Sequence, residues 1–144
     1  MKNSLYETDY YAWSNQQAAL LRAGQLSDAD VDNIAEEIES MGKGEKRELV
    51  SRLRVLLTHL LKWQHQPKRR GASREKTIRV QRHDIGFVLE DNPSLVPQLD
   101  QTIERAYRGA ADDASIQTRL SAKNFPRTCP WSYQQMIDPG FWPE

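Results

Sequence analysis
The chain contains one cysteine and three histidines. A lone Cys129 excludes an internal disulfide and fits a reducing compartment. With no cysteine pair, a structural zinc site has little to be built from. Long apolar runs are also missing. The most apolar stretch, 49–63, is interrupted by Ser51, Arg52, Arg54, Thr58 and His59, so no membrane span is expected. The opening residues, MKNSLYETDYY, have no apolar h-region, which argues against a secretory signal and for a cytoplasmic chain. Net charge is absent too, because 20 Lys and Arg balance 20 Asp and Glu. Total charge therefore says nothing about the sign of a partner. No strand-period segment of useful length, internal repeat or low-complexity tract is present.

Helical periodicity fills this space. The 144 residues suit one all-α domain with a real core. Its expected centre is a helical hairpin over 28–65. In the first arm Val31, Ile34, Ala35, Ile38 and Met41 fall on one face, with Ser27 as N-cap and Leu26 and Val31 as a hydrophobic staple. Gly42 and Gly44 predict the turn. In the second arm Leu49, Leu53, Leu56, Leu60 and Trp63 recur at alternating four- and three-residue steps. Val50, Leu57 and Leu61 widen that stripe, so Leu53, Leu56, Leu60 and Trp63 are expected in the core of a bundle.

The remaining segments give about five main helices. One spans Asp9 to Ala23, with Thr8 as cap and Gly24 as stop. Another opens at Ser73 and ends at Asn92-Pro93. It carries Ile78, Ile85, Val88 and Leu89 on one side and Val80 and Phe87 nearly opposite, so it has either two buried faces or a contact surface. The next is capped by Ser94 and carries Leu95, Leu99, Ile103, Ala106 and Ala110 on its core face. Gly109 and Asp112-Asp113 suggest a break in it. The last segment, 126–144, holds four of the seven prolines together with Trp131, Tyr133, Phe141 and Trp142. It reads as an irregular aromatic tail packed on the bundle, with a Ser132–Gln135 capping box.

These segments carry a resemblance. YETDYYAW, NIAEEIESMG, HLLKW, TIRVQR, the NPSL helix start and the CPW…FWPE ending, in that order, resemble the bacterial family catalogued as domain of unknown function 29. The resemblance covers almost the whole chain. It implies an all-helical, cytoplasmic bacterial protein without an assigned activity, and it carries no functional residues across. Arg74 stands after Ser73 where family members often have Trp.

Candidate chemistry is sparse. Asp32, Glu36 and Glu39 line one helix face, where like charges destabilise by roughly 0.2–0.5 kcal/mol per pair. A compensating cation is expected, the simplest being the chain's own basic residues. Glu37, at the margin of the apolar face, invites a structural ion pair with Arg82. Glu36, Glu37 and His59 are the side chains from which a carboxylate–histidine metal site would be assembled. No Glu-x-x-His or His-Glu-x-x-His spacing supports it, and no cofactor is expected. His59 is expected to pack beside Trp63. Cys129 lacks a base in sequence reach and reads as a small buried residue rather than a nucleophile.

Charge is segregated along the chain. Residues 28–42 hold six acids and no base, whereas 62–82 hold eight basic residues and only Glu75. Lys68, Arg69, Arg70, Arg74 and Arg79 form the candidate basic surface for nucleic acid or an acidic protein. No aromatic interleaves them after Trp63, which disfavours single-strand binding. No catalytic residue is named by the sequence. The reading it favours is a non-enzymatic helical interaction module that binds a protein partner or itself, with the Val80/Phe87 face as one means of self-association. Nucleic-acid binding through 68–82 and a metal-dependent enzyme using Glu37 and histidines are the alternatives.

Overall fold
The computed structural model describes residues 5–144. Among them no residue lies in a strand, and six α-helices account for most of the chain. They are α1 (Leu5–Thr8), α2 (Tyr10–Arg22), α3 (Val31–His65), α4 (Ala72–Asp91), α5 (Leu99–Thr118) and α6 (Tyr133–Ile137). Two compact units are distinguished, one reaching to Gly44 and one of Glu45–Glu144.

The expected hairpin does not form. Its two arms are one helix, α3, of 35 residues. Gly24 is the only glycine with positive φ among the described residues, so neither Gly42 nor Gly44 takes the left-handed conformation that a turn needs. The physical reason is that glycine is a weak breaker. It costs about 1 kcal/mol against alanine inside a helix, whereas proline costs about 3 kcal/mol. No proline is present, and the flanking Glu and Lys residues favour helix. Four of the six helices are long, with the two expected arms merged into one.

In the first unit α2 starts on Asp9, not Thr8. The Asp9 carboxylate accepts from the Ala12 N–H at 3.0 Å. It ends as its sequence predicts. Gly24 has φ of 73°, Gln25 N–H donates to the Leu20 carbonyl and Gly24 N–H to that of Leu21, a Schellman stop. Ser27 caps nothing. It lies within a 3-10 turn, Leu26–Asp28, and α3 begins three residues later.

The second unit holds the hydrophobic core. Leu49, Leu53, Leu56, Leu57, Leu60 and Leu61 of α3 pack with Ile78, Ile85, Val88 and Leu89 of α4. Leu99, Ile103, Ala106, Tyr107, Ala110 and Ala114 of α5 complete the cluster. Trp63 is only partly buried at its edge, tilted against Trp142 at 4.6 Å between ring centres. Polar pairs fix the helix directions. Lys46 reaches Gln98, Arg54 reaches Asp113 and Lys62 reaches Gln117, so α3 and α5 run the same way. Arg52 with Asp84 and Arg74 with the Lys62 carbonyl set α4 antiparallel to α3.

Helix starts differ from expectation. Gly71, not Ser73, precedes α4, and a 3-10 turn, Pro93–Gln98, replaces the cap expected at Ser94. No break occurs at Gly109 or Asp112-Asp113, because α5 runs through them. Gly109 has a packing role instead. A Cβ there would lie 2.7 Å from the Arg54 guanidinium, which grips Asp113 one turn further on. Beyond α5 the chain is largely irregular. Phe125, Trp131 and Met136 are buried in the cluster, and Ser132 and Gln135 form a complete capping box for α6.

Candidate functional site
The first turns of α3 have two unlike sides. One is filled by α2. Trp13 Nε1 donates to Asp30 Oδ2 at 3.1 Å, Asp30 N–H donates to Gln17 Oε1 at 2.7 Å, and Asn33 donates to the same Asp30 carboxylate. Further along, Tyr6 and Tyr10 donate their hydroxyls to Glu37 at 2.5 and 2.6 Å. The Tyr10 and Tyr6 hydroxyls hold the Glu37 carboxyl below its ordinary range. Reciprocally, bonding to Glu37 pushes the Tyr6 phenol up to about 12. Tyr6 and Trp13 add an edge contact at 4.6 Å.

This arrangement replaces the ion pair expected between Glu37 and Arg82. Glu37 takes hydroxyls. Arg82, buried, donates Nε–H to the Met136 carbonyl at 2.7 Å and a terminal N–H to that of Phe141 at 2.6 Å. Its other terminal nitrogen has no protein hydrogen-bond partner, and the guanidinium lies 5.1 Å from the Trp142 ring centre. Burial pulls the Arg82 pKa down, and the nearby Asp138 opposes that shift. A cavity of about 220 Å³ beside it is lined by Arg79, Arg82, His83, Ile137 and Pro139.

The other side of α3 is uncovered. Val31, Ile38 and Met41 are 59%, 62% and 70% exposed. They belong to the face that sequence periodicity assigned to a core. The spacing Val31, Ala35, Ile38, Gly42 is continued by Leu49, Leu53, Leu56 and Leu60, which are fully buried. Beside the exposed stripe Asp32, Glu36 and Glu39 form an acidic ridge, all three exposed. Among the described residues no Lys or Arg lies within ion-pair distance of them. Up to Gly44, Trp13 and Gln17 are the only buried residues described.

The other candidate residues are largely engaged in structure. His59 faces the Val55 carbonyl through Nδ1 at 2.9 Å, and burial lowers its pKa. Glu36 is exposed, and the described residues contain no group of three His, Cys, Asp or Glu able to hold a metal ion. Of the basic segment, Arg70 donates to the carbonyls of Trp63 and Pro143, and Arg74 to the Lys62 carbonyl and Gln66. Arg79 pairs with Glu75 at 2.9 Å. Lys68 and Arg69 are exposed in a 3-10 turn. Arg70 and Arg74 thus tie the α3–α4 loop to the end of α3 and to the tail, while Lys68, Arg69 and Arg79 stay exposed. Cys129 is partly buried with Sγ 3.3 Å from the Trp131 carbonyl, and burial raises its pKa, which suppresses thiolate. On α4, Val80 and Phe87 are 42% and 50% exposed, with His83 edge-on to Phe87.

No described helix is long and apolar enough to cross a membrane. The family model described as "Domain of unknown function DUF29" matches residues 5–142. No curated protein and no solved structure matches the chain.

Proposed function
This chain belongs to the DUF29 family of unknown function, and from that premise we propose that it is a non-enzymatic helical interaction module whose contact surface is the exposed stripe of α3. The observation that carries this reading is Val31, Ile38 and Met41, three large apolar side chains left in solvent on one helix face. Single exposed apolar residues are ordinary, but a stripe at helical spacing marks a contact face. Burying such side chains is worth roughly 1.5–3 kcal/mol each, so a partner that covers them gains substantially. The engagement of Glu37, His59, Arg70, Arg74 and Arg82 in structural hydrogen bonds also supports a binding role over a chemical one.

The test is site-specific photo-crosslinking in cells. A crosslinker placed at Ile38 is expected to give a discrete adduct. The same group at the exposed Ser40, on the opposite side of α3, is expected to give none. Silence at both positions, or an identical smear from both, overturns the reading.

A further inference from the structure
The α3 stripe has a counterpart on the same chain. On α4, Lys76, Val80, His83 and Phe87 are all exposed and follow the same four-three-four spacing as Val31, Ala35, Ile38 and Gly42. We propose that the α3 stripe of one copy docks on the α4 stripe of a second copy, an inference that rests on the interaction-module reading above.

Size and charge select this pairing and its direction. Laid parallel in register, Ala35 and Gly42 lie opposite Val80 and Phe87, so the two small residues make room for the two large apolar ones. Val31 and Ile38 then cover the aliphatic stem of Lys76 and the ring of His83. Along α3 the ridge beside the stripe runs from acid to base, through Asp32, Glu36 and Glu39 to Lys43 and Arg47. Along α4 the order is the reverse, Lys76 first, with Arg79 shared with Glu75, and then Glu90 and Asp91. Parallel docking therefore brings opposite signs together at both ends, whereas antiparallel docking opposes like signs. A parallel contact of α3 with α3 would set Asp32, Glu36 and Glu39 against the same three carboxylates.

The contact joins two unlike faces. Where both stripes of one copy engage the same partner the contact closes as a two-fold dimer, and where they engage different partners association continues into a ring or an open chain. The interface is one helix against one helix, smaller than the roughly 800 Å² per partner of a standard stable complex, so dissociation in the micromolar range or weaker is expected.

The experiment is sedimentation of the full chain and two variants, with circular dichroism to check the fold. Ile38→Glu with Met41→Glu removes the α3 stripe. Val80→Glu with Phe87→Glu removes the α4 stripe. Both pairs are solvent-exposed, so helix content should be unchanged. Wild type is expected to gain mass with concentration, each variant alone to stay monomeric, and their equimolar mixture to form a heterodimer and nothing larger. A third variant, Gly42→Leu, keeps good helix propensity and every charge. It should weaken wild-type self-association at least tenfold by filling the space meant for Phe87, whereas non-specific sticking would strengthen. Persistent dimers of the α4 variant alone overturn this pairing and leave the α3 stripe as a self-interface. A wild type that is monomeric at every concentration also overturns it. The crosslink at Ile38 then separates the two claims, because an adduct with another protein keeps the interaction-module reading and no adduct removes both.

Discussion

At the scale of single residues, Arg82 and Glu37 were expected to answer each other, and each found another solution. A buried guanidinium does not need a carboxylate when backbone carbonyls converge on it, and the irregular tail supplies two, from Met136 and Phe141. Hydrogen bonds from a charged donor are worth roughly 1.5–3 kcal/mol each. Arg82→Met should therefore lower the urea midpoint clearly and loosen the tail. Arg79→Ala breaks only an exposed pair and should change stability by less than about 1 kcal/mol. Equal midpoints for the two variants would show that Arg82 does not fasten the tail. The Glu37 cluster makes a pH prediction. Its carboxyl titrates below the unfolded value, so its contribution to stability is present above roughly pH 4.3 and is lost as pH falls through the folded value. Tyr6 shifts the other way, so its contribution is present below roughly pH 10 and is lost as pH rises through about 12. Replacing Tyr6 and Tyr10 by Phe should return Glu37 to the ordinary carboxylate range in an NMR titration. An unchanged titration would mean the hydroxyls do not hold it.

At the scale of elements, α3 decides how much the sequence could reveal. The leucine stripe from Leu49 to Leu60 was legible because burial and periodicity agree there. The capping box at Ser132 and the stop at Gly24 were legible because each depends on local geometry alone. The hairpin turn was misread because Gly42 and Gly44 are permissive residues, and permission to turn is not an instruction. Gly109 was misread for a related reason. Its missing side chain serves the approach of Arg54, a contact between residues 55 positions apart that no local pattern encodes. The uncovered stripe could not be found from sequence, since apolar spacing predicts that a face will be covered without saying by what. Continuity of α3 has a direct test in Gly44→Ala. No neighbouring atom lies within 4 Å of the new methyl group, and φ is not positive. In a continuous helix the substitution should stabilise by up to about 1 kcal/mol in chemical denaturation. Destabilisation would restore the turn.

At the scale of the whole molecule, zero net charge conceals an uneven distribution of both charge and core. Buried leucines and aromatics gather in Glu45–Glu144, while the described residues up to Gly44 bury only Trp13 and Gln17. Among the described residues, seven of the eleven exposed large hydrophobics, including Tyr11, Leu26, Val31, Ile38 and Met41, lie in that first stretch. The proposed interface would complete such a stretch by association. Two methionines report on this. Met41 is 70% exposed on the stripe, and Met136 is 0% exposed in the core. Oxidation by peroxide converts accessible methionine to sulfoxide, so the ratio of the two rates, read by mass spectrometry, measures coverage of the stripe with an internal standard. The account predicts rapid oxidation of Met41 in dilute protein and a several-fold slower rate at high concentration, with that protection lost in Ile38→Glu and Met136 slow throughout. A Met41 rate that is the same at every concentration would contradict it.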